Sequence, residues 1–345
     1  MNPNRPPVDR NNRSRATFGR RLLQLTIGLT SLAGMCMVLS AVLPERRLPE
    51  ITNKMTYFRR HAVEFDTLFI GSSRFYHGIS PKVFDATAVA AGRATHSFNL
   101  GIDDMKPPES LETLEKVLRV HPVQTIFLEL CRLQIDPHAP DQTTERDAAW
   151  HRWRWTEAVL REIPGGRNLG LYSRHARWRG LFQVHLGLWL QNFVNLGRGQ
   201  IWTVPGEPVS QGMRELGPDG DGFAPRPAIP WTDAHDFTKL VGQIHRGEVE
   251  LEWTDDPQLL RLMEEVAGEC ERHGSQLILV IPPTLSSMPR PLDKVPTLAY
   301  NDPRKYPELF SAAEHSDWEH LAEQGAMRFS QALARDYVQM SESRK

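Results

Sequence analysis

The chain has 345 residues, 40% of them hydrophobic and 24% charged, with a formal net charge of -1. Such a length and apolar content suit one large α/β domain or two small ones with a real core. The near-neutral charge excludes nucleic acid as the expected partner, since binding phosphates requires a basic surface, and three cysteines without a C-x-x-C or a zinc-spaced His/Cys cluster leave no metal or cofactor expected.

Taken from the N-terminus, residues 1–21 form a basic tail in which Arg5, Arg10, Arg13, Arg15, Arg20 and Arg21 precede LLQLTIGLTSLAGMCMVLSAVL, Leu22 to Leu43, a stretch without a charged residue. At about 1.5 Å per residue this stretch is long enough to cross the hydrocarbon core, and the arginine excess before it predicts a cytoplasmic N-terminus with the remainder outside, periplasmic in a Gram-negative cell. A cleaved signal peptide is the rival reading, but the apolar run exceeds a typical h-region and no A-x-A-like site follows. Met35 stands directly before Cys36, where a lipoprotein processing box needs a small residue, so Cys36 reads as a membrane-helix residue. Cys131 and Cys270 lie in apolar contexts suited to buried thiols.

Residues 44–59 read as a polar connector, and the folded domain as residues 60–340. The pattern predicts strands at Thr67 to Ile70, His96 to Leu100 and Gln124 to Leu130, with helices at Pro81 to Ala91 and Glu109 to Val120 between them. Leu111, Leu114, Val117 and Leu118 form a one-sided helical stripe. The unit returns with a helix marked by Leu259, Leu260, Met263 and Val266, ended by His273-Gly274, and a strand from Leu277 to Ile281 halted by Pro282-Pro283. The alternation implies a parallel sheet covered by helices on both faces, a three-layer α/β/α fold. A Trp-rich helical insertion interrupts it at about 137–249; Trp150, Trp153, Trp155, Trp178, Trp189 and Trp202 form either a sugar-stacking or membrane-interface surface or packing against the main sheet.

Parallel sheets place ligands past the carboxyl ends of their strands, where Gly71, Ser72 and Ser73 follow the first strand. Read alone, Gly-Ser-Ser is a turn with helix-capping serines. A nucleophile needs a base, and HSDWEHLAEQGAMRFSQALA, His315 to Ala334, offers one: Asp317 and His320 stand just before an amphipathic helix carrying Leu321, Ala326, Phe329 and Leu333. An imidazole delivered there is able to take a proton from Ser73 while Asp317 holds its other nitrogen; the ordinary alternatives are an N-cap for Asp317 and a surface position for His320.

Three pieces in fixed order, Gly71-Ser72-Ser73, Asn99-Leu100-Gly101 and Asp317-Trp318-Glu319-His320, resemble the SGNH or GDSL-type hydrolase superfamily, most nearly its membrane-anchored DltD-like and alginate O-acetylation (AlgJ/AlgX)-like envelope members. The resemblance covers about 60–135 and 255–340. It implies Ser73 as nucleophile, His320 as general base, Asp317 as its orienting partner, and the backbone N–H groups of Ser73 and Gly101 as an oxyanion hole, with Arg74, Asn99 and Arg132 as accessory candidates. Two departures stand out. Ser72 replaces the aspartate of Gly-Asp-Ser, and Leu128-Glu129-Leu130-Cys131-Arg132 replaces the block that carries the oxyanion asparagine, leaving the hole incomplete or completed by another group such as Arg132.

The function expected from this is a single-pass, extracytoplasmic serine O-acetyltransferase or acetylesterase acting on an envelope or exported polysaccharide, with a membrane-bound O-acyltransferase as an expected partner. The alternative is a non-catalytic protein of the same fold that binds glycan or such an acyltransferase.

Overall fold

The computed structural model describes residues 10–42, 48–131, 145–162, 171–194 and 214–342. Arg132, Trp202 and the start of the connector lie outside the described residues.

Helix α1, Arg10–Val42, carries the apolar segment Phe18–Leu39, whose mean hydropathy is 1.8. Among the described residues it is the one helix long and apolar enough to cross a membrane. Two of its hydroxyls bond within the helix: Thr26 and Thr30 donate to the carbonyls of Leu22 and Thr26 at 2.9 and 2.7 Å.

Helix α2, Pro49–His61, takes up most of the stretch read as a connector and runs two residues past it, and its Met55 and Phe58 are buried in the core. The α/β pattern then runs β1 (Thr67–Ile70), α3 (Ser73–Tyr76), α4 (Pro81–Ala90), β2 (Ser97–Asn99), α5 (Pro107–Val120) and β3 (Thr125–Glu129). Helices α6 (Glu145–Trp150), α7 (Trp153–Glu162), α8 (Leu171–Val194) and α9 (Ala234–His245) follow. The chain closes with β4 (Trp253–Thr254), α10 (Pro257–Arg272), β5 (Gln276–Ile281), β6 (Met288–Pro289), β7 (Thr297–Ala299) and α11 (Glu323–Glu342).

Five strands form one parallel sheet in the order β2-β1-β3-β5-β7; β4 and β6 pair separately. The alternating strand residues supply two cores. Leu68, Ile70, Ile126, Leu128, Leu277 and Leu279 join Phe58 of α2, Leu111 and Leu114 of α5, and Met263 and Val266 of α10 on one face. Phe69, Phe127, Ile278 and Val280 meet Phe84 of α4 and Phe329, Leu333 and Tyr337 of α11 on the other. The helices thus cover both faces of a sheet whose central strands are buried throughout, the reason those strands read as continuous apolar runs. Strand β7 escapes the sequence pattern because three residues without alternation carry no period.

Because β2 and β3 flank β1, the connections leaving β1 and β3 diverge in opposite directions and open a crevice at the carboxyl ends of these two strands. Gly71 to Ser73 leave β1 there, and Glu129 ends β3 beside them.

The tryptophans of the middle segment divide. Trp150 and Trp155 are buried in the core, the packing alternative, whereas Trp153 and Trp178 are exposed. Cys131 and Cys270 are free thiols, and burial raises each to about 12.

Candidate active site

The turn after β1 is built so that Ser73 opens a helix. Ser72 caps the single turn α3, its hydroxyl accepting from the Arg74 N–H at 3.3 Å, while its own N–H donates to Glu129 Oε2 at 2.5 Å. A Cβ on Gly71 would lie 2.7 Å from Glu129 Oε2 and 2.8 Å from Phe75 Cγ, so only glycine lets β1, α3 and Glu129 approach this closely.

The second half of the site comes from a small hairpin before α11. Ala322 N–H donates to Glu314 O at 2.8 Å and Ser316 N–H to His320 O at 2.9 Å, closing a turn around 317–320. Gly325 permits it, since a Cβ there would stand 2.2 Å from Glu314 O. Within the turn, Asp317 Oδ1 accepts the N–H groups of Glu319 and His320 at 2.8 and 2.9 Å. Asp317 therefore does what a capping residue does, and it also faces the imidazole: His320 Nδ1 lies 2.8 and 2.9 Å from its two oxygens.

Packing of α11 on α4 brings this turn to the crevice, and His320 Nε2 meets Ser73 Oγ at 2.7 Å. The two residues are 247 positions apart. The hydrogen-bonded line Asp317–His320–Ser73 fixes the tautomer: Nδ1 donates to the carboxylate, and Nε2 accepts from the hydroxyl. Burial first, and then the positive charge of Arg226, hold the His320 pKa below the ordinary imidazole value. Burial would raise the Asp317 carboxyl, but the Glu319 N–H, the His320 imidazole and Arg226 outweigh it and keep it below its ordinary value.

Three further groups surround the line. Arg226, from the segment before α9, donates to Asp317 Oδ2 at 3.0 Å, and its carbonyl accepts from Glu323 N–H at 2.9 Å. His77 Nε2 contacts Asp103 at 2.9 Å, with its ring 6.3 Å from that of His320. Arg74 pairs through Nε with Glu129 at 2.8 Å and through a terminal nitrogen with Glu319 at 3.1 Å. Glu319 also accepts from Thr284 and Ser286, so its carboxylate is turned away from His320. Neither Arg226 nor His77 was legible as a site residue: both sit outside the recognisable blocks, and no local pattern marks a side chain that acts through long-range contact.

One accessory candidate, Asn99, and one oxyanion candidate, Gly101, have other employment. Asn99 is fully buried and donates both amide hydrogens to the carbonyls of Phe75 and Ile79 at 2.8 Å, while its Oδ1 accepts the Gly101 N–H at 2.8 Å. The Gly101 N–H is thereby committed inside its own turn, whereas for the Ser73 N–H no acceptor is found among the described residues. Buried Lys54 of α2 locks that turn from behind, its Nζ donating to the carbonyls of Asn99, Gly101 and Gly222. Desolvation holds the Lys54 pKa well below its ordinary value. Arg132 lies outside the described residues.

Among the described residues no group of three or more His, Cys, Asp or Glu side chains is placed to hold a metal ion. The chain matches no protein-family model, and no curated protein is significantly similar to it.

Proposed function

We propose that the chain is a membrane-anchored serine acyl-transfer enzyme of the SGNH type, with α1 as the anchor and the α/β domain outside the cytoplasm. The supporting observation is the unbroken line from Ser73 Oγ through His320 to Asp317, with contacts of 2.7 and 2.8 Å. Ser73 Oγ attacks the carbonyl carbon of an acyl donor as its proton passes to His320 Nε2, and Asp317 stabilises the imidazolium that forms. The tetrahedral intermediate expels the leaving group, which takes the proton from His320, and the acyl group, most simply acetyl, stays on Ser73. A glycan hydroxyl or water then attacks the acyl-enzyme, giving up its proton to His320, and collapse of the second tetrahedral intermediate releases Ser73 Oγ, which takes that proton back from His320.

The Ser73 N–H at the start of α3 serves as the first oxyanion donor. Such a donor counts for about 100- to 1,000-fold in rate. The commitment of Gly101 to Asn99 favours a second reading, a non-catalytic module that holds glycan or a membrane acyltransferase at the same crevice. A fluorophosphonate probe on the full chain in detergent separates the two: labelling of the wild type, abolished in both Ser73→Ala and His320→Ala with thermal stability nearly unchanged, is the expected result. Absence of labelling in the folded wild type, or labelling that persists in Ser73→Ala, rejects the enzyme. The envelope polysaccharide as acceptor and a membrane-bound O-acyltransferase as donor system follow from the resemblance and the anchor, and belong to the same proposal.

A further inference from the structure

Helix α8 does not belong to the sheet's own cores. From Leu181 to Val194 it runs 14 residues without a charge, about 21 Å of helix. One side of it is accounted for: Leu181, His185 and Leu188 are buried, His185 Nδ1 lies 2.9 Å from His151 Nε2, and Trp189 meets the Trp153 ring at 5.3 Å. The open side divides: Gln183, Gly187 and Gln191 are exposed on one flank, while the other is apolar, with Trp178 39% exposed and stacked on Phe182, Leu190 45% exposed and, against Trp189, Trp153 of α7 53% exposed. Arg179, also exposed, stands at the polar end of the helix next to Trp178.

What covers this surface follows from what it touches. Helix α1 packs against α8, and Cys36, near the outer end of the membrane segment Phe18–Leu39, is buried. Packing on α1 sets α8 beside that segment, while α6 and α7 hold its other side. We propose that α8 is embedded in the outer membrane interface beside α1, its axis along the bilayer surface, with the Trp153–Trp189 pair and Trp178 against lipid at the headgroup boundary, where indole finds both an apolar phase and a polar edge. A helix with an apolar flank, no charge from Leu181 onward and an arginine at its start suits that boundary. This rests on the reading of α1 as a membrane anchor. Its consequence is that the domain is held by two helices instead of a tether, with the α6–α7 side facing the bilayer.

The test uses intrinsic fluorescence of the full chain in phosphatidylcholine vesicles with brominated acyl chains. Helix α1 contains none of the nine tryptophans, so quenching by bromolipid reports only on the rest of the chain. Emission is expected to fall relative to unbrominated vesicles, and most of that fall should be lost in Trp153→Phe/Trp178→Phe/Trp189→Phe, with iodide in the water phase unable to quench what bromine quenches. Vesicle flotation is scored on the same samples. A chain that floats yet is not quenched, or is quenched equally in the triple variant, keeps its anchor and overturns the embedded helix. One that does not float overturns both. Should the triple variant misfold by circular dichroism, the single changes at exposed Trp153 and Trp178 replace it; unchanged quenching in both rejects the proposal.

Discussion

Arg226 and Asp317 are joined at 3.0 Å, so the outer oxygen of the carboxylate that orients His320 is shared with a guanidinium delivered by the segment before α9. The arrangement pulls in two directions: it immobilises Asp317, and it places a positive charge where it opposes protonation of His320. The imidazole of His320 therefore stays neutral to a lower pH than an ordinary imidazole, whose pKa is about 6.5.

A pH profile follows from that sign. Probe acylation of Ser73 requires neutral His320, so its acid limb should lie below the ordinary imidazole value in the wild type. Arg226→Gln removes a charge that disfavours the imidazolium, and the limb should move to higher pH. An unchanged limb in a folded variant refutes the electrostatic role.

Asp317→Asn is expected to be nearly as damaging as His320→Ala. Glu319, the nearest alternative carboxylate in sequence, is engaged by Arg74, Thr284 and Ser286 and cannot replace it. An asparagine favours the wrong imidazole tautomer, an effect of about 10,000-fold in a comparable triad. Second-order labelling rates would measure it, and a loss below about tenfold would show that water orients the ring adequately.

Glu129 is the structural keystone of the crevice, a carboxylate 1% exposed that neutralises Arg74 and accepts the Ser72 N–H. Glu129→Ala leaves a largely buried guanidinium without its main partner and should cost about 3 kcal/mol. Glu129→Gln retains an acceptor for the Ser72 N–H and should cost less. Urea midpoints at constant slope test the order; equal stability of both variants with the wild type contradicts it.

His151 provides an acid-stability prediction away from the site. Burial first holds its pKa down to about 4, so in the folded state it stays neutral while in the unfolded chain it binds a proton near the ordinary value of about 6.5. Between these two values the unfolded state carries more protons, and stability must fall as pH drops through that window. Melting temperatures of the full chain in detergent should show the fall, and His151→Gln should show less of it. A variant whose melting temperature declines as steeply as the wild type's would exclude His151 as a cause.

The elements that carry the site were readable from local order. A strand that stops at Gly71, a helix that ends before Gly274, and the one-sided stripe of α5 are all expressed within a few residues of themselves. The Asp317–His320 pair was equally accessible, because a turn of four residues brings i and i+3 together wherever it folds. The apolar run of α1 is the same kind of signal, a composition that needs no partner to be recognised. Long-range packing alone decided the rest. That Ser73 meets His320 depends on α11 seating against α4, and that Asn99 is spent on Phe75, Ile79 and Gly101 depends on how closely the turn after β2 lies under α3. Glu129, which as a bare letter looked like a lost oxyanion donor, is a buried counter-charge once Arg74 lies against it. Arg226 had no signal of its own, since a guanidinium reaching across the fold is set by the positions of both backbones and by neither local sequence.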